Sequence, residues 1–351
     1  MKIRKNILTG LCIASMVISL AACGNTDTKN TEPADTPVAE EAPTQEPAAE
    51  PTQEPTPAPT NESASEQKEE EKEIQVNKTF VSKSKKKNKY LLSKKTSSSA
   101  QSASSLVSWK NSKVKKQIVK FVEAATDKNS DSYIPPEDRI VVSDIDGTLI
   151  AEKGWKVDND DMVPKTPAEV KDYILSIQDD YFDEEKKLIY RAILYQPMME
   201  MYDYLVANDF DVYFVSGNCN SLTYAWANYY FDADYSHSIG SNIYLDIDET
   251  DGFKMGPTGQ YEGSWNAVKC YRIYNQIGKC PVLAFGNSDG DIQMLEWVLT
   301  NPDYPSLSVM INHDDEREYV YSADTISGFC ENYGFLDAKI SENFKTVFVK
   351  K

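Results

Sequence analysis

From Lys113 onward the apolar positions fall into alternating short runs and helical stripes. Val114, Ile118, Phe121, Val122 and Ala125 recur at helical spacing. A continuous apolar run, Arg139-Ile-Val-Val-Ser-Asp144, then reads as a buried strand. Comparable runs follow at Asp211-Val-Tyr-Phe-Val215, Pro281-Val-Leu-Ala-Phe285 and Leu307-Ser-Val-Met-Ile311. Between them the pattern predicts helices over 185–208, 219–229, 263–278 and 289–299. Buried strands alternating with helices predict an α/β domain over 112–351, a parallel sheet sandwiched by helices. In such sheets ligands bind beyond the carboxyl ends of the strands.

The chain before residue 112 has a different character. Lys2, Arg4 and Lys5 precede an apolar run from Ile7 to Leu20, which ends in Leu20-Ala-Ala-Cys23-Gly24. This is the layout of a secretory signal. The run is too short for a membrane-spanning helix, which needs about 20 apolar residues. Leu-Ala-Ala-Cys-Gly resembles the bacterial lipoprotein cleavage box, which implies removal of residues 1–22 and lipid on Cys23. The expected location is the outer, extracytoplasmic face of the cell membrane, anchored through that lipid. Residues 23–76 are Pro, Thr, Glu and Ala with almost no large apolar side chain, a composition that predicts a disordered tether. Residues 77–111 predict a basic, Ser-rich neck, read either as attracted to anionic lipid or cell-wall polymer or as a solvated linker.

Charge sharpens these divisions. The net charge of the 351-residue chain is −18, but residues 77–120 hold 13 Lys and no acid. Residues 121–351 hold 18 basic and 41 acidic side chains, a net of −23, which argues against nucleic acid as a partner of that body. Cys219, Cys270, Cys280 and Cys330 allow two disulfides in an oxidising compartment, with the pairing open. No Cys-x-x-Cys occurs, and His237 and His313 lie far apart in sequence, so a structural zinc site is not expected.

Chemistry-bearing residues cluster where the strands end. The first strand runs into Asp144-Ile-Asp146-Gly147-Thr148. Asp-x-Asp-Gly-Thr arises by chance at about one position in 100,000, at roughly 5–7% usage per residue. The second ends at Val215-Ser216-Gly217-Asn218, where a hydroxyl at the start of a helix could donate to a phosphate oxygen. Lys269 lies on the next helix but one, and the following strand ends in Gly286-Asn287-Ser288-Asp289-Gly290-Asp291, an oxygen-rich turn suited to Mg²⁺.

As an ordered set, Asp144/Asp146 with Gly147-Thr148, Ser216, Lys269 and Asn287 with Asp291 resembles the four motifs of the haloacid dehalogenase superfamily. The resemblance spans roughly residues 112–351. It implies a Rossmann-like core with a small helical cap inserted after the first motif, at about 151–210. It also implies a phosphatase. Asp144 would attack phosphorus and carry the phosphoryl group, and Asp146 would protonate the leaving oxygen and then activate water. Thr148, Ser216, Gly217 and Lys269 would hold the phosphate. Mg²⁺ would be held by Asp144, the backbone carbonyl of Asp146 and Asp291. Asn287 stands where other members have an acid, so less weight falls on it as a ligand. An acid at the Asp146 position favours phosphatases over dehalogenases.

The expected partner is a small phosphorylated substrate. Rival readings are transfer to an acceptor other than water, a sugar-phosphate mutase, which the lipoprotein address disfavours, and a binding lipoprotein that keeps the fold without turnover. Within the cap, Trp155 and Tyr181 could touch substrate or simply pack. Asp158–Asp161 reads as a solvated acidic loop. Asp246-Ile-Asp248 repeats the Asp-x-Asp spacing without Gly-Thr and is followed by Glu249-Thr250-Asp251-Gly252, which is turn chemistry. The 52 residues between Ser216 and Lys269 leave no room for a large second cap.

Overall fold

The computed structural model describes residues 101–153 and 156–350. The signal peptide, Cys23, the tether, the neck up to residue 100 and Trp155 lie outside the described residues. Seven strands form one sheet in the order β6-β5-β4-β1-β7-β8-β9. They are β1 (Ile140–Ser143), β4 (Asp211–Cys219), β5 (Ser238–Asp248), β6 (Lys254–Glu262), β7 (Leu283–Gly286), β8 (Leu307–Asn312) and β9 (Leu336–Lys339). All pairings are parallel except β5 with β6. A separate two-stranded hairpin joins β2 (Tyr181–Asp183) and β3 (Leu188–Ile189). The helices are α1 (Lys113–Thr126), α2 (Asn159–Met162), α3 (Pro167–Ile177), α4 (Gln196–Ala207), α5 (Asn220–Phe231), α6 (Ala267–Ile277), α7 (Ile292–Leu299), α8 (Ala323–Tyr333) and α9 (Ile340–Asn343).

The sheet is buried on both faces, and the two-residue period of the strands divides its side chains between them. Val141, Phe214, Leu283, Phe285, Val309 and Ile311 join the layer that includes α1, α4 and α5. Val142, Val215, Ala284 and Met310 face the layer formed by α6, α7 and α8. This is the α/β, Rossmann-like architecture expected from the alternating pattern. From β1 the chain builds outward to β4 and β5, then returns to the other side of β1 for β7, β8 and β9. β1 is therefore the topological switch point, and the crevice beyond its carboxyl end is where such sheets place ligands.

Several boundaries differ from expectation. Residues 101–112, ahead of the predicted start near 113, already belong to the described structure. Leu106 is 0% exposed, Trp109 is 3% exposed, and both belong to the core. Ser108 N donates to Glu200 Oε2 at 2.8 Å, which ties this segment to α4. The Ser- and Lys-rich composition of 77–111 hid these two anchors. The predicted helix over 185–208 is short at its start, because 181–189 forms a hairpin whose turn holds Lys187 at a positive φ of 51°. Residues 151–210 accordingly hold three helices, a hairpin and a 3₁₀ turn rather than being mostly helix. Residues 238–262, not assigned from sequence, form the long β5–β6 hairpin, so α6 begins at Ala267. All four described cysteines are free thiols.

Asp203 on α4 gives the fold a pH dependence. Burial, and then the nearby Glu200 carboxylate, push its carboxyl up to about 7. An acid whose pKa is raised on folding destabilises the folded state once ionised, so its penalty grows as pH rises from about 4 to above 7. Asp203→Asn is expected to raise the melting temperature at pH 8 and to leave it unchanged near pH 4. An equal shift at both pH values would show that Asp203 ionisation carries no such cost.

Candidate active site

The crevice beyond β1 is lined by Asp144, Asp146, Ser216, Gly217, Lys269 and Asn287 of the residues singled out from the sequence, with Thr148 and Asp291 buried behind it. Asp144 follows the last residue of β1, and its backbone N–H donates to Phe285 O of β7 at 3.0 Å, which fixes the turn to the sheet. The turn then needs glycine at 147. Its φ is +80°, and a Cβ there would lie 2.0 Å from Asn287 Nδ2. Both the left-handed backbone and the close approach exclude a side chain.

Lys269 is the centre of the site. Carried on α6 and 3% exposed, it donates from Nζ to Asp144 Oδ1 at 2.7 Å and to Asp291 Oδ1 at 2.6 Å. Burial alone would lower the pKa of this ammonium. The charges of Asp144 and Asp291 outweigh burial and hold it above the usual lysine range. Conversely, burial and then the Asp291 charge push the Asp144 carboxyl well above its ordinary value, against the pull of Lys269. Two buried carboxylates facing one buried ammonium leave the centre one positive charge short.

Asp146 has different surroundings. Its Oδ2 accepts hydrogen bonds from Asn218 Nδ2 at 2.8 Å and Ser216 Oγ at 3.1 Å. Its Oδ1 is buried without a partner. Although the residue is partly open to the cleft, burial of the carboxyl pushes it up to about 6, against the Ser216 hydrogen bond. Ser216 lies within β4, four residues before α5 begins, so the expected helix start is not beside it. Ser216 Oγ is instead positioned by Asp146 and by Asn218 N, which donates to it at 3.1 Å.

Asp291 and Asn287 occupy different places in the loop after β7. Asp291 is 0% exposed, and its second oxygen, Oδ2, accepts from Asn287 N, Ser288 N and Ser288 Oγ at 3.0–3.2 Å. It does not line the cleft; it fastens the β7 loop to Lys269 from below. Asn287 does line the cleft. Thr148 Oγ1 lies 3.2 Å from Asp144 Oδ2 and 3.3 Å from Asn287 Oδ1, so these two oxygens converge on one hydroxyl. Among the described residues no group of three or more His, Cys, Asp and Glu is placed to hold a metal ion. The Asp144 carboxylate and the Asn287 carboxamide oxygen that meet at Thr148 are hard oxygen donors of the kind Mg²⁺ takes. The missing positive charge at Asp144 fits the same cation.

The cleft encloses about 440 Å³ and brings in residues not read from the sequence. Glu152 and Lys153 enter from the segment after the first motif, Asn159 from α2, and Tyr261 and Trp265 from the end of β6 and the link to α6. Asn159 belongs to the acidic Asp158–Asp161 stretch, which is thus not merely solvated, since Asn159 Oδ1 also accepts from Cys219 N at 2.6 Å. Tyr181 does not line the cleft, and its ring is half exposed on β2. Asp246 and Asp248 lie on β5, exposed and away from the cleft. Only Asn159 carried a local signal, its neighbouring acids; Tyr261 and Trp265 reach the cleft through hairpin register.

Neither a family model nor a curated protein matches the chain. Among solved structures the chain is similar to a conserved protein of unknown function from Anaerococcus prevotii DSM 20548, at 13% identity and a TM-score of 0.38, covering 64% of this chain and 91% of that one. It is also similar to cytosolic 5'-nucleotidase IIIB bound to cytidine, at 13% identity and a TM-score of 0.34, covering 65% and 86%. A phosphoserine phosphohydrolase-like protein from Francisella tularensis subsp. tularensis SCHU S4 is similar at 16% identity and a TM-score of 0.29, covering 54% and 98%. The mostly parallel sheet is the one the alternating pattern predicts, and Asp144, Ser216, Lys269 and Asn287 meet in one cleft beyond it.

Lys269→Met is expected to destabilise the cation-free protein by about 3–5 kcal/mol in urea unfolding, because two carboxylates lose their buried partner. Adding Asp291→Asn to it should recover part of the loss. A cost below about 1 kcal/mol would mean that Lys269 does not neutralise the buried pair.

Proposed function

We propose that this chain is a phosphomonoester hydrolase that works through a phosphorylated Asp144. The observation that carries the reading is the contrast between two carboxyls at one strand end. Asp144 is clamped by Lys269, whereas Asp146 has an unpartnered oxygen and a pKa raised to about 6. One is placed to act as nucleophile, the other to hold and release a proton.

Asp144 attacks phosphorus through the carboxylate oxygen not held by Lys269, forming an aspartyl-phosphate while the leaving oxygen takes the proton of Asp146. Ionised Asp146 then accepts a proton from the water that attacks the same phosphorus, and Asp144 is regenerated. Lys269 cancels charge on the phosphoryl oxygens, and Ser216, Thr148 and the Gly217 backbone orient them. Mg²⁺, held by Asp144, the Asp146 carbonyl and Asn287, would supply charge neutralisation for an anion meeting a phosphate dianion. The pair of differentiated carboxyls favours turnover over a purely binding role. Transfer to an acceptor alcohol uses the same first step and differs only in what Asp146 deprotonates.

The location belongs to the same proposal. The signal-like start and Leu-Ala-Ala-Cys23-Gly support lipid on Cys23 and an extracytoplasmic catalytic body. The Lys-rich neck would give the chain an attraction to anionic lipid or cell-wall polymer.

Wild-type protein is expected to release phosphate from an aryl phosphate in the presence of Mg²⁺ and to lose this activity with a chelator. Asp144→Asn should abolish it, and Asp146→Asn should slow it by about 100-fold or more. Equal rates for wild type and Asp144→Asn in phosphate release would overturn the reading.

A further inference from the structure

Trp265 occupies a position that the chain arranges at some cost and from which the core gains nothing. Its indole lies across two glycines. A Cβ on Gly217 would fall 2.2 Å from Nε1, and one on Gly263 would fall 1.8 Å from Cζ3. The next residue, Asn266, takes a φ of +54° and ψ of −132°, a backbone region that glycine favours. Asn266 N donates to Gly290 O at 3.1 Å, so the link is also tied to the β7 loop. Yet Trp265 is 51% exposed and belongs to neither apolar layer, whereas its neighbour Tyr261 packs against one of them. The two rings meet at 65° with centroids 6.5 Å apart, so Tyr261 braces the indole from the side.

The indole lines the same cleft as Asp144, Asp146 and Lys269. It rests on Gly217, one residue from Ser216, so a group stacked on it lies close to the phosphoryl position. Glu152, Lys153, Asn159 and Asn218 line the same cleft and offer donors and acceptors to polar ring edges. A half-exposed indole gains from a flat partner, and stacking tolerates a range of rings because each offers a π face.

We infer that Trp265 is a stacking platform that selects phosphomonoesters whose leaving group carries a flat, polar-edged ring, the chemistry of a nucleoside monophosphate. This rests on the phosphatase reading above and names the substrate class of the same site. Trp265 sets which ester is bound and takes no part in bond breaking.

Wild type, Trp265→Ala and Trp265→Phe would be compared on adenosine 5′-monophosphate, phenyl phosphate, a hexose 6-phosphate and glycerol 3-phosphate. The ratio of kcat/KM for adenosine monophosphate over glycerol phosphate is expected to fall by about 5- to 150-fold in Trp265→Ala, the size of one stacked base, and mostly to recover in Trp265→Phe. Phenyl phosphate should fall between the two, and the hexose phosphate should follow glycerol phosphate. Binding supplies a second readout independent of turnover. Tryptophan fluorescence of Asp144→Asn should be quenched by adenosine monophosphate and not by glycerol phosphate, and the quench should vanish in Asp144→Asn/Trp265→Phe. An unchanged ratio, or a quench that survives the Trp265 change, overturns the platform. Failure of wild type on every ester, with the Trp265-dependent quench intact, would instead count against hydrolysis and leave the platform standing.

Discussion

One buried ammonium between two buried carboxylates organises the catalytic end of this molecule. Lys269 reaches from α6 to Asp144 at the tip of β1 and to Asp291 under the β7 loop, at 2.7 and 2.6 Å. Three elements that are distant in sequence are thereby fixed to one charge. Neither the lysine nor the acids would be tolerable in this place alone, since an unpaired buried charge is costly. The arrangement also leaves a surplus of negative charge at the position where a phosphate dianion has to approach. On the reading proposed above, a hard divalent cation held by Asp144 and the oxygens of the β7 loop would offset that surplus.

Burial divides the labour between the two acids of the first turn. Asp144 spends one oxygen on Lys269 and keeps the other near Thr148. Asp146 accepts from Ser216 and Asn218 on one oxygen only and is held near a pKa of 6, where it can both give and take a proton. The glycine between the turn and Asn287 makes this closeness possible, because any Cβ would collide with the carboxamide.

The residues gathered beyond β1 were legible in the sequence because their chemistry is local. Asp-x-Asp-Gly-Thr, Ser216 and the acid-rich turn after Phe285 each follow an apolar run short enough to be a buried strand, and the parallel sheet gathers such ends. What escaped reading depends on pairing across distance. β6 contains Gly256, Pro257 and Gly259, which argue against a strand by composition, yet it lies at a sheet edge where proline is tolerated. Without that hairpin nothing places Tyr261 and Trp265 at the cleft. Leu106 and Trp109 were missed for a similar reason, two core anchors set among Ser and Lys. The acid-rich turn marked Asp291 in the sequence, while its contacts to Lys269, Asn287 and Ser288 come only from the fold.

The central claim is that Asp144 carries the phosphoryl group. Asp146→Asn slows release of that group more than its capture from a good leaving group, so it can be mixed with an aryl phosphate and Mg²⁺, quenched in acid, digested and read by mass spectrometry. The account requires a phosphoryl adduct on the peptide containing Asp144, absent when Asp144 is also changed to Asn. An adduct on another side chain, or phosphate release with no adduct at any time point, would contradict it.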